Sequence, residues 1–162
     1  MKIKFSFFLL TVFLLSGCRA TGRLYPVQGP LSAQTPTPVL FAKLTGAFNS
    51  GNLSVVLADG EVCKGHWATV PRVQPSPSAA PASTAPPTNM SAAWDTVYGS
   101  GFYVSHVLGT KLYVQSVLPG DRGSVLNVEM YRPLDRDPDA NIRASIKGVA
   151  KDNKDNIYKL VF

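Results

Sequence analysis

Cysteine is scarce in this chain. Cys18 and Cys63 are its two thiols among 162 residues, so no disulfide framework can hold the fold together. Histidine is as rare, with His66 and His106 alone, and no second cysteine pair exists to complete a tetrahedral zinc site. Charged residues make up 16% of the chain, and no lysine or arginine stands beside another. Nucleic-acid binding needs clustered positive charge, and this scattering excludes it. No glycine-rich phosphate loop or nucleotide motif occurs. Long apolar runs are missing too. The longest, Phe5 to Leu15, falls well short of the roughly 20 residues that cross a hydrocarbon core as a helix. Beyond it no stretch shows a good helical period, so strands are expected throughout.

What is present begins with an address. Lys2 and Lys4 precede the apolar run FSFFLLTVFLL, the charged start and h-region of a secretory signal peptide. Leu15-Ser16-Gly17-Cys18 follows. This stretch resembles the lipobox of bacterial lipoproteins with a type II signal peptide, and the resemblance covers residues 1 to 18 only. It implies that residues 1–17 are removed, that the mature chain starts at a lipid-modified Cys18, and that acyl chains hold it to the membrane. Small residues before the cysteine suit a narrow peptidase cleft, and the thiol is the nucleophile that takes up diacylglycerol. Residue 19 is Arg, where an Asp would retain an enteric-type lipoprotein in the inner membrane, so the resemblance points to the outer membrane. Without Lys2 and Lys4, 14 basic residues face 10 acidic ones, and a net charge of +4 licenses only weak attraction to anionic headgroups or glycans.

Residues 18–38 hold four prolines and no periodicity, which reads as an extended, lipidated tether. Residues 39–162 read as one all-β domain, a small antiparallel β-sandwich or barrel. The segments LSVVLA and EVCKGHWATV flank Asp59-Gly60, a strong hairpin signal. A two-residue loop there would pair Val56 with Cys63 and Leu57 with Val62. Segments 98–109, 110–118, 124–132, 143–151 and 156–162 supply further strand material, with clear period-2 alternation at Tyr113–Val117 and Leu126–Tyr131. Residues 71–92, rich in Pro, Ala and Ser with Arg72 as their one charge, read as a disordered insertion within the domain. A separate domain of about 32 residues before it would be too small to stand alone. The closing Tyr158–Phe162 resembles the last strand of an outer-membrane barrel. The strands are shorter than the roughly ten residues such barrels use, and a sheet with an apolar interior is the better expectation.

Candidate chemistry is thin. Asp135, Asp137, Asp139 and Asn141 begin like a calcium loop, but Ala140 and Ile146 stand where Gly and Glu are needed. Cys63 and His66 have the spacing of a metal knuckle, yet residues three apart on a strand face opposite ways. Cys63 is expected to be a buried small hydrophobe. No catalytic residue, metal site or cofactor is assigned; Cys18 is the one expected modification site. The function expected is therefore a non-catalytic structural or protein-interaction module of the envelope. Its partners would be the membrane, through lipid, and an envelope protein or glycan. Trp67, Trp94, Tyr98, Phe102 and Tyr103 are its likeliest contact aromatics, Trp67 with a preference for the core. The alternatives are a β-barrel that binds or hydrolyses a small ligand with Cys63, His66 and His106, and a periplasmic inhibitor of a hydrolase.

Overall fold

Alternating apolar and polar side chains let each strand bury one face, and eight such strands form a single closed sheet. They are β1 (Cys18–Gln28), β2 (Leu40–Ala47), β3 (Ser50–Val56), β4 (Val62–Val70), β5 (Tyr113–Pro119), β6 (Val125–Tyr131), β7 (Lys147–Asp152) and β8 (Ile157–Val161). In this computed structural model, which describes residues 18–47, 49–70, 90–108, 113–131 and 146–162, every strand pairs antiparallel with its sequence neighbour, and β8 returns to β1. Closure gives each of these strands a neighbour on both sides, so the sheet has no edge strand to recruit another chain. Residues 1–17, the insertion as far as residue 89 and the 135–141 loop lie outside the described residues.

The inward side chains fill the lumen. Leu24, Leu53, Leu118, Leu126 and Tyr158 are wholly or almost wholly buried there, with Leu40, Val55, Val128, Met130 and Leu160 between them. Lys43, Asn52, Lys64 and His66 point outward into solvent. A membrane-spanning barrel has the opposite arrangement, with an apolar band outside.

Three expectations change. The tether assigned to residues 18–38 is, over its first 11 residues, strand β1. Gly22, Leu24 and Pro26 are buried while Thr21, Arg23 and Tyr25 are exposed, so a period of two is present but carried by a glycine and a proline. Pro26 has no N–H to give a ladder, and it sits where the register against β8 shifts between Pro26 and Gln28, a bulge that tolerates it. Residues 29–39 then fold over one end of the barrel. Gly29 (φ +100°) approaches the β7–β8 turn so closely that a Cβ would lie 2.6 Å from the Asp155 carbonyl oxygen, and the Leu31 N–H donates to Asn156 Oδ1 at 2.9 Å.

The hairpin at Asp59-Gly60 is real, but its loop has three residues. Val56 pairs with Val62 and Val55 with Cys63, one position away from the two-residue register. The Leu57 N–H donates to the Glu61 carbonyl at 2.8 Å, Gly60 takes φ +81°, and Asp59 Oδ1 accepts the Glu61 N–H at 3.0 Å. A turn closed by a left-handed glycine is the second common hairpin solution. This slip puts Leu53, Val55, Leu57 and Cys63 together inside, and Val56 outside.

The third change is helical. Of segment 98–109, expected as a strand, the described residues 98–108 belong to a helical excursion: α1 (Met90–Tyr98) followed by a single π-helical turn, Tyr103–Val107. Met90, Ala93 and Trp94 are buried and Val97 packs beside them, the i, i+3, i+4, i+7 stripe of a one-sided helix. They cover the outer side of the sheet at Tyr131, Val149 and Ile157, a second apolar cluster outside the lumen.

Candidate functional site

Cys18 is the first residue of β1, and its backbone pairs with Gly46 on β2. The residue expected to carry lipid therefore belongs to the barrel wall, at the end opposite the turns 57–61, 120–124 and 152–156.

The residues considered for chemistry do not meet. Cys63 is inside the lumen and fully buried; burial, with Glu61 and Asp121 adding to it, pushes its thiol up to about 11. His66 lies three residues along β4 on the outer surface, with Nδ1 3.5 Å from Asn52 Oδ1. Odd spacing on a strand turns the two to opposite faces. His106 lies on the π-helical turn, exposed, its ring stacked 4.4 Å from that of Phe102. Core, sheet exterior and helical cover are three separate environments.

Two polar arrangements escaped the sequence. The first closes the end of the lumen away from Cys18. Glu61 is buried and accepts from the backbone N–H groups of Arg122 (2.8 Å) and Ser124 (2.9 Å) and from the Ser124 hydroxyl. The Ser124 hydroxyl does most to hold the Glu61 carboxyl below its ordinary range, against the opposing effect of burial. Asp152 accepts from the N–H groups of Lys154 and Asn156, the Asn156 amide and, at 2.7 Å, the Tyr158 hydroxyl. Burial and then the Asp152 carboxylate raise the Tyr158 phenol. Lys154 Nζ bridges outward, 3.6 Å from Asp59 and 4.0 Å from Glu61. A groove of about 430 Å³ runs between this network and Pro30, Leu31 and Gln34. Each buried carboxylate is spent on turn N–H groups, so the network ties loops together.

The second lies under α1. Trp94, fully buried, donates from Nε1 to Glu129 Oε2 at 2.8 Å. Its ring stacks on Tyr98 and Phe102 at 5.5 and 5.9 Å, and Lys147 lies over both of these rings. Of the aromatics expected at a contact surface, Trp94 is therefore core, while Trp67 is half-buried and donates to the Thr45 carbonyl at 3.1 Å. Tyr98, Phe102 and Tyr103 are half-buried against the second cluster. The signal for this group was the helical spacing from Met90 to Val97.

Among the described residues no group of three or more His, Cys, Asp or Glu side chains is placed to hold a metal ion, and no helix is long and apolar enough to cross a membrane. In comparison with known proteins, the chain matches no family model, no curated protein and no solved structure. What defines the molecule is its class of architecture: an eight-stranded up-and-down antiparallel barrel with a filled lumen and a helical cover.

Proposed function

We propose that the protein is a bacterial cell-envelope lipoprotein, acylated on Cys18, whose barrel is a non-catalytic structural or interaction module at the outer membrane. The observation that carries this reading is the sequence Leu15-Ser16-Gly17-Cys18 after a charged start and an apolar run. Cleavage before Cys18 removes the apolar leader and leaves strand Cys18–Gln28 in the mature chain. Arg19 at the next position supports outer-membrane sorting. The separation of Cys63, His66 and His106, and a lumen occupied by leucine, valine and tyrosine side chains, favour a scaffold over a hydrolase or ligand carrier.

Replacing Cys18 with Ser tests the reading. The expected outcome is loss of the acyl mass at residue 18, with the chain released from the membrane once its apolar leader is cleaved elsewhere. Unchanged membrane fractionation of a Cys18→Ser protein whose leader has been removed would refute the anchor. In-cell crosslinking of the lipidated protein then identifies the envelope component it touches.

A further inference from the structure

Strand register arranges the outward side chains of β1–β4 in three rows. Arg19, Thr45, Asn52 and His66 stand side by side in the row nearest Cys18. Thr21, Lys43, Ser54 and Lys64 form the next row, and Arg23, Phe41, Val56 and Val62 the third. With strands about 4.8 Å apart and alternate residues about 7 Å apart, the first two rows make a tile roughly 14 Å wide and 7 Å deep. A recess of about 520 Å³ opens on it among Lys43, Thr45, Asn52, Ser54, Lys64 and His66. Two ammonium groups thus flank a hydroxyl, with an amide, a second hydroxyl and an imidazole in the adjoining row. The third row turns apolar: Phe41 is 57% exposed and Val56 46%.

No acidic residue lies in these rows. Asp59, Glu61, Asp121, Asp152 and Asp155 sit in the turns at the far end, Asp95 is on α1, and Glu129 is buried beneath it. Of the far-end acids, Asp59, Glu61, Asp121 and Asp155 pair with Arg122, Lys151 and Lys154. Among the described residues Arg19, Arg23, Lys43 and Lys64 enter none of these ion pairs. Among the described residues, which do not include Asp135, Asp137 and Asp139, the barrel is therefore polarised, with positive charge that no ion pair neutralises on the face that begins at Cys18.

We propose that this face lies against the membrane, the Lys43–Ser54–Lys64 row taking the phosphate of an anionic phospholipid headgroup while Phe41 and Val56 enter the interface beside it. Its orientation rests on the acylation reading above. Cys18 opens β1 with no intervening linker, one position from Arg19, so acyl chains on it hold this corner of the barrel at the bilayer surface. A basic face bordered by exposed apolar side chains is the chemistry of peripheral lipid contact. Acylation supplies the attachment; the face sets the tilt, laying β1–β4 down and turning the 57–61, 120–124 and 152–156 turns away.

The mature chain with Cys18→Ser, residues 18–162, is sedimented with phosphatidylglycerol-rich and with phosphatidylcholine vesicles. Partitioning to the anionic vesicles alone is expected, weakening as salt rises. The double variant Lys43→Gln/Lys64→Gln should lose about 30-fold, since each lysine near an anionic surface contributes on the order of fivefold. Phe41→Ser should weaken binding without changing its salt dependence, and Lys151→Gln/Lys154→Gln, at the other end, should leave it unaltered. Lys43, Lys64, Lys154 and Phe41 are exposed and Lys151 is half-buried, and a melting curve matching the parent certifies each variant. Failure of the parent to sediment with anionic vesicles, or equal partitioning by the Lys43/Lys64 variant, overturns the proposal. Retention on an anionic polysaccharide with none on vesicles, or binding of inorganic phosphate alone, also overturns it, in favour of a polymer or a free anion. Because the assay uses an unacylated chain, its failure is distinct from failure of the lipid anchor, which fractionation reads.

Discussion

Replacing Leu24 by Ala separates a barrel strand from a tether. Leu24 is fully buried, its backbone paired with Leu40 on one side and Leu160 on the other, and both of those side chains also face the lumen. Truncation removes three carbons from a site enclosed by three strands, where the backbone ladder prevents collapse into the space. Buried Leu→Ala changes cost about 2–5 kcal/mol through lost transfer energy and the cavity left behind. The closed sheet argues for the middle of that range, about 3 kcal/mol. At roughly 3 °C per kcal/mol for a domain of this size, the melting temperature should fall by about 10 °C. The assay is thermal and urea unfolding of the mature chain followed by circular dichroism, with exposed Thr21→Ala on the same strand as the comparison. A Leu24→Ala protein within about 0.5 kcal/mol of the parent, the range of an ordinary surface change, would refute β1 as part of the wall.

Cys63 should resist alkylation in the folded chain and react once the chain is unfolded. Because its thiol is raised from 9.0 to about 11 by burial, the stability it protects is intact below pH 9 and declines as pH rises through that interval; melting temperatures across the range check it, with Cys63→Ala flattening the decline. Glu61 and Asp59 are held below their ordinary values, Glu61 chiefly by Ser124 and Asp59 by the Glu61 N–H. Their contribution is present above those values and is lost as acid protonates them, so Glu61→Gln should shallow the acid limb of the melting-temperature profile. Trp94→Phe keeps most of the packing but removes a donor from the buried Glu129 carboxyl, a loss of about 1–3 kcal/mol measurable by urea titration. Gly60→Ala should cost about 1 kcal/mol through its φ of +81° alone, since the nearest atom to an added Cβ is 4.0 Å away; no loss in a denaturant titration would show that the turn relaxes to another form.

The architecture was largely legible because strand alternation is a local property. Tyr113–Val117 and Leu126–Tyr131 lie in strands β5 and β6 as their period requires. β1 was not legible, because Gly22 and Pro26 occupy inward positions where apolar bulk normally marks a strand, and the neighbours that bury them, β2 and β8, are distant in sequence. The Asp59-Gly60 signal located a turn without specifying whether two or three residues close it. That single residue decided which of Val55 and Val56 faces the core. α1 is short, and its stripe begins inside a proline-rich segment, so composition masked a correct periodicity. The polar networks around Glu61 and Asp152 join residues far apart in sequence, Glu61 and Ser124 at 63 positions among them, beyond the reach of any motif.

By itself the sequence determined the scarcity of metal and disulfide chemistry, the resemblance of residues 15–18 to a lipobox, and an all-β fold, since each rests on residue type and near-neighbour spacing. Only the tertiary structure decided that the sheet closes on itself, that β1 starts at Cys18 without a linker, and that Lys43, Ser54 and Lys64 share one row. Register across strands is set by turn lengths and by the burial of whole faces, and those are sums over contacts that no single stretch of chain contains.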